Sequence, residues 1–334
     1  MSKLNLDFYK GADLYSDGDI EDKMLYIARN NIDLDFCSDV EYPVFYHFSP
    51  IRHNILSWYP FRENCTIIEI GSGCGALTGL LCNRASRVVA IELSKRRAEI
   101  NLERNGSCSN LEIIVGNLYD IVLEEKFDYV IVNGVMEYAA GFIEAEKPYD
   151  AFLQKVKNLQ KKDGKLLLAI ENRLGLKYFA GAPEDHTGEF FLGLKDYQGN
   201  DSVRTFSKCE LTKLLEDNGF KCNKFYYPYP DYKFPVEIFT DAELTADKYG
   251  NDYYNYSGER FELFNEGRVA RAFISEGIMD KFVNSFLVEA SVDGCQDDTE
   301  ILYVKYSNNR KKEFSIMTII KSNNEKKSVI KKAA

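Results

Sequence analysis

The most constraining feature of this sequence is a glycine-rich loop between an apolar strand pattern and a helical one. The strand pattern is Cys65–Ile70, and the loop carries Gly71, Gly73 and Gly75. Glycine lets a backbone turn sharply and brings its N–H groups close to a ligand. A second strand pattern ends in Glu92, 17 residues after Gly75, where a carboxylate can accept both hydroxyls of a ribose. The loop therefore predicts a nucleotide-binding strand–helix turn.

The patterns around the loop alternate between strands and helices. The strand patterns are continuous apolar runs: Cys65–Ile70, Arg87–Glu92, Leu111–Val115, Phe127–Val132 and Gly164–Ile170. The helical patterns between them are Gly75–Arg84, Ser94–Asn105 and Tyr149–Gln160. This alternation predicts a doubly wound α/β fold, in which helices cover both faces of a parallel sheet. After Ile170 the rhythm changes to two helical patterns, Ser207–Asn218 and Glu266–Asn284, and two strand patterns, Cys222–Tyr227 and Ser285–Ala290.

Charge and hydropathy exclude some classes of protein. The 334 residues carry a formal net charge of −10, in which residues 305–334 contribute +7 and the rest −17. An acidic body argues against a general nucleic-acid binder. No apolar run reaches the roughly 18 residues of a membrane helix, and the N-terminus is polar, so we expect a cytoplasmic protein.

Cysteine and histidine spacing predicts no metal site. The eight cysteines form no CxxC pair, and there are only three histidines. In a chain of this length we expect the cysteines to be reduced.

A glycine loop alone leaves the nucleotide open. Gly71-x-Gly73-x-x-Ala76 also fits the dinucleotide pattern that binds NAD(P). Two details favour another ligand: Gly75 sits one residue earlier than that pattern asks, and Glu69 sits two residues before the first glycine. A carboxylate at Glu69 would repel a pyrophosphate but would suit the ammonium group of an amino-acid ligand.

Several segments resemble the motifs of class I S-adenosylmethionine (SAM)-dependent methyltransferases. The first two motifs of that family are similar to TIIEIGSGCGALTGLL and VVAIELSKRRAEINLERN. The adenine-contacting segment is similar to VGNLYD, the fourth strand with its substrate-side loop to FDYVIVNGVMEYA, and the helix before the late strands to SKCELTKLLEDNGF. The resemblance covers roughly residues 40–291 and implies a Rossmann-like sheet of seven strands, with SAM as cofactor and S-adenosylhomocysteine as product.

The resemblance implies a set of cofactor contacts from the loop and from the ends of the strands: Glu69, Gly71, Ser72, Gly73, Gly75, Glu92, Leu93, Asn117, Leu118, Asn133 and Met136. In this set Glu92 binds the ribose, and Glu69 supports the loop and the amino group of SAM. Asn117 lies at the edge of the adenine, where the family often has Asp. The stretch from Asn133 to Met136 lines the methyl-donor side.

The resemblance also divides the chain. Residues 1–45 lead into a methyltransferase domain at 46–294, which contains an insertion at about 228–284. Residues 46–52, which include His47 and Arg52, predict a packing helix, with closure over the cofactor as the alternative. Residues 295–334 form a short, basic, β-rich extension.

This extension resembles the opening of a kinase-like small lobe. Lys331 or Lys332 would take the place of the lysine on its third strand, although no glycine follows Gly294 to form a phosphate loop. Methyltransferase–kinases that cap O-antigen polysaccharides have this order of domains. The alternative is an extra β-hairpin.

Candidate catalytic residues follow the fifth strand, where a parallel sheet places its ligands. Glu171 and Arg173 lie in AIENRLGLKY, and His186 lies in EDHTG. His186 is the candidate general base, with Asp185 or Glu184 to orient it. Arg173 would bind an anionic group. The alternatives are a solvated loop histidine and a surface salt bridge.

The same loop and the late insertion resemble bacterial methyltransferases of surface-polysaccharide assembly. That likeness implies an acceptor hydroxyl or phosphate on a sugar or glycan. Two other functions stay open. An NAD(P)-dependent sugar oxidoreductase or epimerase would need a Tyr-x-x-x-Lys pair, which here is only Tyr229 and Lys233. The third possibility is a non-catalytic scaffold that binds SAM.

Overall fold

A computed structural model describes most of the chain, namely residues 2–34, 36, 40–200, 202–245, 247–249, 260–294, 299–307, 312–323 and 326–333. The chain forms two compact units. The first contains Met1–Val135 and Gln154–Leu167, and the second contains Met136–Leu153 and Leu168–Ala334.

The first unit is built on parallel strands. In chain order they are β1 (Lys3–Asn5), β2 (Thr66–Ile70), β3 (Arg87–Glu92), β4 (Leu111–Val115), β5 (Phe127–Asn133) and the first part of β6 (Gln160–Glu171). Their order across the sheet is β1-β4-β3-β2-β5-β6, and the pairs β1–β4, β4–β3, β3–β2 and β2–β5 are parallel. The predicted parallel α/β arrangement is confirmed here, and β1 is an addition that the sequence patterns did not predict.

The helices of this unit are α1 (Ile20–Arg29), α2 (Tyr42–Phe48), α3 (Thr78–Cys82) and α4 (Lys95–Asn105), with a 3₁₀ helix at Pro50–Ile55. Two of them, α3 and α4, follow the predicted patterns with shorter ends, α2 begins four residues before the predicted segment 46–52, and α1 was not predicted. Ser94 caps α4 as predicted, since its hydroxyl accepts the backbone N–H of Arg97 at 3.3 Å. Buried apolar side chains of α1 pack with Ile100 of α4, which fixes the N-terminal segment to the sheet layer.

The second unit is built on antiparallel strands. It contains the end of β6 together with β7 (Cys222–Tyr229), β8 (Glu237–Phe239), β9 (Ser285–Ser291), β10 (Thr299–Ser307), β11 (Ile316–Asn323) and β12 (Lys326–Ala333). Their order is β6-β9-β7-β8-β10-β11-β12. The pairs β9–β7, β7–β8, β8–β10, β10–β11 and β11–β12 are antiparallel.

The seven-strand detail is not confirmed, because the described residues form twelve strands of mixed direction: the seven predicted ones, the three of the C-terminal extension, and β1 and β8 in addition. β1 and β8 have only three residues each, which is too short to give a recognisable strand pattern in the sequence. β8 lies inside the predicted insertion and pairs with β10, so the C-terminal extension joins the sheet of the second unit. The three strands β10, β11 and β12 agree with the prediction of a β-rich extension.

Helices α5 (Ala139–Phe142), α6 (Pro148–Leu159), α7 (Leu176–Phe179), α8 (Lys208–Asp217) and α9 (Glu266–Ser275) complete the described fold. The predicted helix over Glu266–Asn284 stops at Ser275, because Gly277 takes a positive φ of +68° that ends a helix. Part of the predicted insertion, residues 246 and 250–259, lies outside the described residues.

The structure also bears on the expectations about membrane helices and cysteines. Among the residues that the structure describes, no helix is long and apolar enough to cross a membrane. Cys65, Cys74, Cys82, Cys108 and Cys209 are free, as expected. Cys222 is disulfide-bonded, which corrects the expectation that all eight cysteines are reduced.

Candidate functional site

The glycine loop of the first unit runs directly from β2 to α3. Gly71, Gly73 and Gly75 have φ values of +71°, +54° and +79°, in the left-handed region that favours glycine. A Cβ on Gly71 would collide with Val135, and one on Gly75 would collide with Asn101. The loop therefore needs glycine at both places for space as well as for backbone conformation.

Backbone hydrogen bonds hold the loop against the end of β3. The N–H groups of Gly71 and Ser72 both donate to the carbonyl of Ile91, at 2.9 and 3.0 Å. The hydroxyl of Ser72 accepts from the amide of Asn101 at 3.1 Å. The first two loop residues are thus set by β3, which carries the next predicted site residue.

Glu92 lies at the end of β3, where it joins two backbone segments of the predicted cofactor site. One of its carboxylate oxygens accepts the N–H of Gly73 at 2.7 Å, and the other accepts the N–H of Ser94 at 3.0 Å. Only 4% of the residue is exposed. Each oxygen keeps a further acceptor site. The carboxylate is therefore held in place and can still accept hydrogen bonds from two hydroxyls.

Glu69 braces the loop from below. Its carboxyl group accepts the hydroxyl of Thr78 at 2.6 Å, and that hydroxyl in turn accepts from Asn101 at 3.0 Å. Burial raises the pKa of Glu69 to about 8, so its carboxyl is mostly protonated at neutral pH. A protonated carboxyl exerts little attraction on an ammonium group. The contact with the amino group of SAM stays a prediction.

The other predicted contacts lie at the ends of neighbouring strands. Leu93 is partly exposed and Leu118 is buried. The side-chain oxygen of Asn117 accepts the N–H of Tyr119 at 3.0 Å, a local turn that orients the amide. Asn133 ends β5, and its side-chain oxygen is buried with no hydrogen-bond partner among the described residues. The adenine and methyl-donor roles of these residues stay predictions.

Sequence reasoning missed a contribution from the N-terminal segment. The carboxylate of Asp13 accepts the hydroxyl of Ser94 and the backbone N–H groups of Lys95 and Arg96, at 3.2, 2.7 and 3.2 Å. An acid at the N-terminus of α4 is stabilised by the free N–H groups and by the helix dipole. Asp13 lies 81 residues before Ser94, and no local pattern could have identified it.

The segment around His47 packs as predicted. His47 is buried, and burial lowers its pKa to about 4, so the ring is neutral at pH 7. Arg104 of α4 donates to the backbone carbonyls of His47 and Cys74, at 2.8 and 2.6 Å. One guanidinium therefore fixes both this segment and the glycine loop.

A cluster of ionisable side chains occupies the second unit, and His186 is at its centre. The Nδ1 atom of His186 lies 2.8 Å from a carboxylate oxygen of Glu184, and its Nε2 atom lies 3.5 Å from Glu137 and 3.8 Å from Glu171. The second oxygen of Glu184 accepts the backbone N–H groups of His186 and Thr187. Of the two acids proposed to orient His186, the structure selects Glu184.

Asp185 faces a different set of groups. Its carboxylate pairs with Lys177 at 2.8 Å and with Lys233 at 3.0 Å, and it accepts the hydroxyl of Tyr178. Burial alone would raise the pKa of Asp185, but the two lysines hold it well below its ordinary value. Asp185 is therefore a permanent anion that does not orient His186.

Glu171 ends β6 and is fully buried. One of its oxygens accepts from Lys233 and from the hydroxyl of Tyr232, the latter at 3.2 Å. Burial opposes its ionisation, but the charges of Lys233 and His186 outweigh it and lower its pKa. Its second oxygen has no hydrogen-bond partner among the described residues.

The carboxylates around His186 change its charge. Burial alone would lower its pKa, yet the nearby carboxylates of Glu171, Glu137 and Glu184 raise it well above the ordinary value. Burial raises the pKa of Glu137. With these neighbours alone His186 holds its proton at neutral pH, and a base role would require the acceptor to replace one of them.

Arg173 takes a supporting position in the second unit. Its guanidinium forms two hydrogen bonds with Glu210, at 2.7 and 3.2 Å, and one with the carbonyl of Gly193. Glu210 also accepts the N–H of Ser207 in the capping box of α8. These contacts engage the guanidinium with protein groups, and its predicted role in anion binding stays a prediction.

Sequence reasoning missed Glu137 and the group of possible metal ligands that it completes. Glu137 lies beside the predicted Met136, in a 3₁₀ turn at Met136–Tyr138, and both belong to the second unit. The ligand atoms of Glu137, Glu171 and His186 all lie within 4.8 Å of one another, a spacing that could hold a metal ion. The sequence had predicted no metal site, because these residues are far apart along the chain.

One segment of the chain matches a known family of protein domains. Residues 68–168 match the family model described as a methyltransferase domain. This segment includes the glycine loop and Glu92. The match confirms the predicted SAM-dependent methyltransferase domain, and SAM as its cofactor.

Curated relatives match over a short part of the chain. The probable ribosomal RNA small subunit methyltransferase A of Methanopyrus kandleri is 36% identical over 72 residues, which cover 22% of this chain and 26% of the relative. The malonyl-[acyl-carrier protein] O-methyltransferase of Priestia megaterium is 29% identical over 87 residues, covering 25% of this chain and 31% of the relative. The chain thus spans about a quarter to a third of the length of these relatives.

Solved structures show weaker likeness over more of the chain. A phosphoethanolamine N-methyltransferase 1 from Haemonchus contortus, in complex with phosphoethanolamine and S-adenosylhomocysteine, has a TM-score of 0.46 and 15% identity over 84% of this chain and 50% of that one. A SAM-dependent methyltransferase from Thermotoga maritima, described as a possible histamine N-methyltransferase, has a TM-score of 0.43 and 16% identity over 81% and 100%.

Proposed function

We propose that this protein transfers a methyl group from SAM to a hydroxyl of a sugar or surface glycan. The observation that carries the proposal is the carboxylate of Glu92, which is held between the N–H groups of Gly73 and Ser94 inside the segment that matches a methyltransferase domain. Bound SAM supplies an activated methyl group on a sulfonium centre. The protein then has to bind, align and dehydrate the reacting groups.

The first unit supplies the cofactor contacts in this proposal. Glu92 accepts the ribose hydroxyls with the acceptor sites that its backbone contacts leave free. The positive φ values of Gly71, Gly73 and Gly75 shape the loop for the methionine part of SAM. Asn133 supports the methyl-donor side, since its buried side-chain oxygen has no hydrogen-bond partner among the described residues.

The cluster in the second unit supplies the acceptor contacts. His186 receives or directs the proton of the acceptor hydroxyl, and Glu184 fixes the orientation of its ring. Carboxylates outnumber lysines in this cluster, so it repels a phosphate and tolerates a neutral hydroxyl. Of the two acceptors that the resemblance implies, the charge therefore favours the hydroxyl. The sugar itself rests on the resemblance to polysaccharide methyltransferases.

Charge also argues against an RNA acceptor for this chain. Several relatives are ribosomal RNA methyltransferases. RNA binding draws its affinity from basic side chains, whereas this chain has a net charge of −10 and residues 1–304 carry −17. The basic extension carries Lys331 and Lys332 on β12, but we do not extend the proposal to phosphoryl transfer, since no glycine-rich loop precedes them.

Calorimetry with SAM, S-adenosylhomocysteine and NAD tests the cofactor. We expect binding of SAM and its product and no binding of NAD. NAD binding without SAM binding would favour the oxidoreductase alternative, for which Tyr229 and Lys233 are the candidate pair. Transfer of labelled methyl from SAM to glycan extracts then tests the reaction. Tight SAM binding with no transfer to any glycan fraction would favour the scaffold alternative.

A further inference from the structure

We propose that Glu137, Glu171 and His186 bind one divalent transition-metal ion of the Mn²⁺ or Zn²⁺ class. The three side chains belong to the second unit, and their ligand atoms lie within 4.8 Å of one another. This site goes beyond the proposed methyl transfer. Only the role of the ion in the reaction rests on the proposed function, and ion binding by itself does not.

The distances around His186 suit a shared ion better than direct hydrogen bonds. Nε2 of His186 lies 3.5 Å from an oxygen of Glu137 and 3.8 Å from an oxygen of Glu171. Good hydrogen bonds between nitrogen and oxygen are shorter than these. Nitrogen and oxygen ligands about 2.1 Å from a tetrahedral zinc ion lie about 3.4 Å from each other. A small inward movement of the side chains would bring all three onto one ion.

Unpaired carboxylate oxygens give an independent reason. Glu137 and Glu171 are 1% and 0% exposed, and each has one carboxylate oxygen with no hydrogen-bond partner among the described residues. Such an oxygen of Glu171 is the one closest to His186. Burying a carboxylate oxygen without a partner is costly. A cation bound to this oxygen of Glu171 would satisfy it, and one held by both oxygens of Glu137 would also satisfy the unpaired Oε2 of that carboxylate.

The charges of the cluster leave room for a divalent ion. Four acidic side chains meet two lysines here: Glu137, Glu171, Glu184 and Asp185 against Lys177 and Lys233. Lys177 also faces Asp231 at 3.7 Å, which adds a further negative charge. Without an ion, the proton on His186 offsets part of this negative charge. An ion that displaces this proton meets four carboxylates and only two lysines, an excess of at least two negative charges. One divalent ion compensates this excess without a further protein group.

The second nitrogen of His186 is already oriented for metal binding. Its Nδ1 atom is bonded to Glu184 at 2.8 Å, and the backbone N–H groups of His186 and Thr187 hold that carboxylate. In metal sites a carboxylate on one ring nitrogen directs the other toward the ion. One imidazole and two carboxylates suit Zn²⁺ and Mn²⁺. With the ion bound, Nε2 of His186 is a ligand and cannot accept a proton, so the ion would take over activation of the acceptor hydroxyl at the positions that three protein ligands leave open.

Metal analysis of the full chain tests the site. The protein is stripped with chelator, dialysed against Zn²⁺, Mn²⁺ or Mg²⁺ singly at about 100 μM, and its metal content and thermal stability are measured. We expect about one Zn²⁺ or Mn²⁺ per chain, and a higher Tm with the ion than without it. Glu137→Gln and His186→Gln should each weaken binding at least tenfold. The matched control is Glu189→Gln, an exposed glutamate in the same loop, which should bind like the wild type.

Three results would overturn the proposal. The first is a wild-type protein that holds neither Zn²⁺ nor Mn²⁺. The second is a retained ion in folded Glu137→Gln and His186→Gln proteins, with folding judged by S-adenosylhomocysteine binding to the first unit. X-ray absorption at the zinc edge of the wild type needs no variant, and we expect one imidazole nitrogen with oxygen ligands at about 2.0–2.2 Å. The third contrary result would be sulfur ligands or several imidazoles around the ion. A failed methyl-transfer assay would test the proposed function and would not decide whether the ion binds.

Discussion

Replacement of Glu92 tests the cofactor site most directly. Its two oxygens accept the N–H groups of Gly73 and Ser94, at 2.7 and 3.0 Å, and only 4% of the residue is exposed. Glu92→Ala removes both acceptors. Glu92→Gln keeps the shape and one carbonyl oxygen, but it turns an NH₂ group toward the second N–H. The two variants therefore separate the loss of charge from the loss of the side chain.

The expected magnitude follows from the number of bonds. A hydrogen bond to a charged group contributes about 1.5–3 kcal/mol, and a buried N–H left without an acceptor costs about 1–3 kcal/mol. Glu92→Ala should therefore weaken SAM binding by at least one such bond, about 1.5–3 kcal/mol, which corresponds to roughly 10- to 150-fold in Kd. The two backbone N–H groups also lose their acceptor, so we expect the free energy of unfolding to fall by about 2–4 kcal/mol. Glu92→Gln should give intermediate values for both quantities.

Calorimetric titration with S-adenosylhomocysteine measures the affinity, and denaturant unfolding measures the stability of the same samples. Glu63→Ala is the matched control, since this exposed glutamate precedes β2 and should change neither quantity. Lower stability with unchanged affinity in folded Glu92→Ala would refute the cofactor role. Glu92 would then be a structural brace between the glycine loop and the end of β3.

Three further predictions concern the supporting residues. Gly75→Ala should be more destabilising than Gly188→Ala in chemical denaturation, because both have positive φ but only the former Cβ meets a side chain; equal losses would contradict the steric argument. Glu69 has a folded pKa of about 8 against an ordinary 4.5, so its stabilising contribution falls as pH rises through that interval. Glu69→Gln should therefore gain stability relative to wild type from pH 5 to 8 in thermal unfolding, and a constant difference would contradict this. Arg173 helps to hold the pKa of Glu210 at about 2. In denaturant unfolding, the stability lost in Arg173→Ala should therefore be constant above pH 5 and shrink as the pH falls from 4.5 toward 2. A loss that stays the same down to pH 2 would contradict this ion pair.

The parallel part of the fold was predictable because its strands are local patterns. β3 and β4 have the predicted bounds, and β2 differs by one residue, since each is an apolar run between turn residues. β1 and β8 were not predictable. Each has three residues and exists through pairing with β4 or with β7 and β10, and such pairing leaves no local signal.

The two parts of the candidate site differ in the same way. Only one helix and one strand separate the glycine loop from Glu92, so spacing alone predicted them. The cluster around His186 depends on contacts between distant segments. Asp185 and Glu184 are neighbours in sequence, and only the two lysines facing Asp185 decide that Glu184 orients the ring. Glu137 joins the same cluster from a turn 34 residues before Glu171, and no spacing rule predicts it.

By itself the sequence determined the class of fold, the glycine loop and the acid that follows it, because backbone conformation and strand pattern are properties of neighbouring residues. Tertiary structure alone decided the number and direction of the strands, the charge of Glu69 and the partners of His186. Burial and the approach of distant charges set these features. A carboxyl group such as Glu69 is an ordinary acid in the sequence and becomes a largely protonated brace only when the loop closes over it.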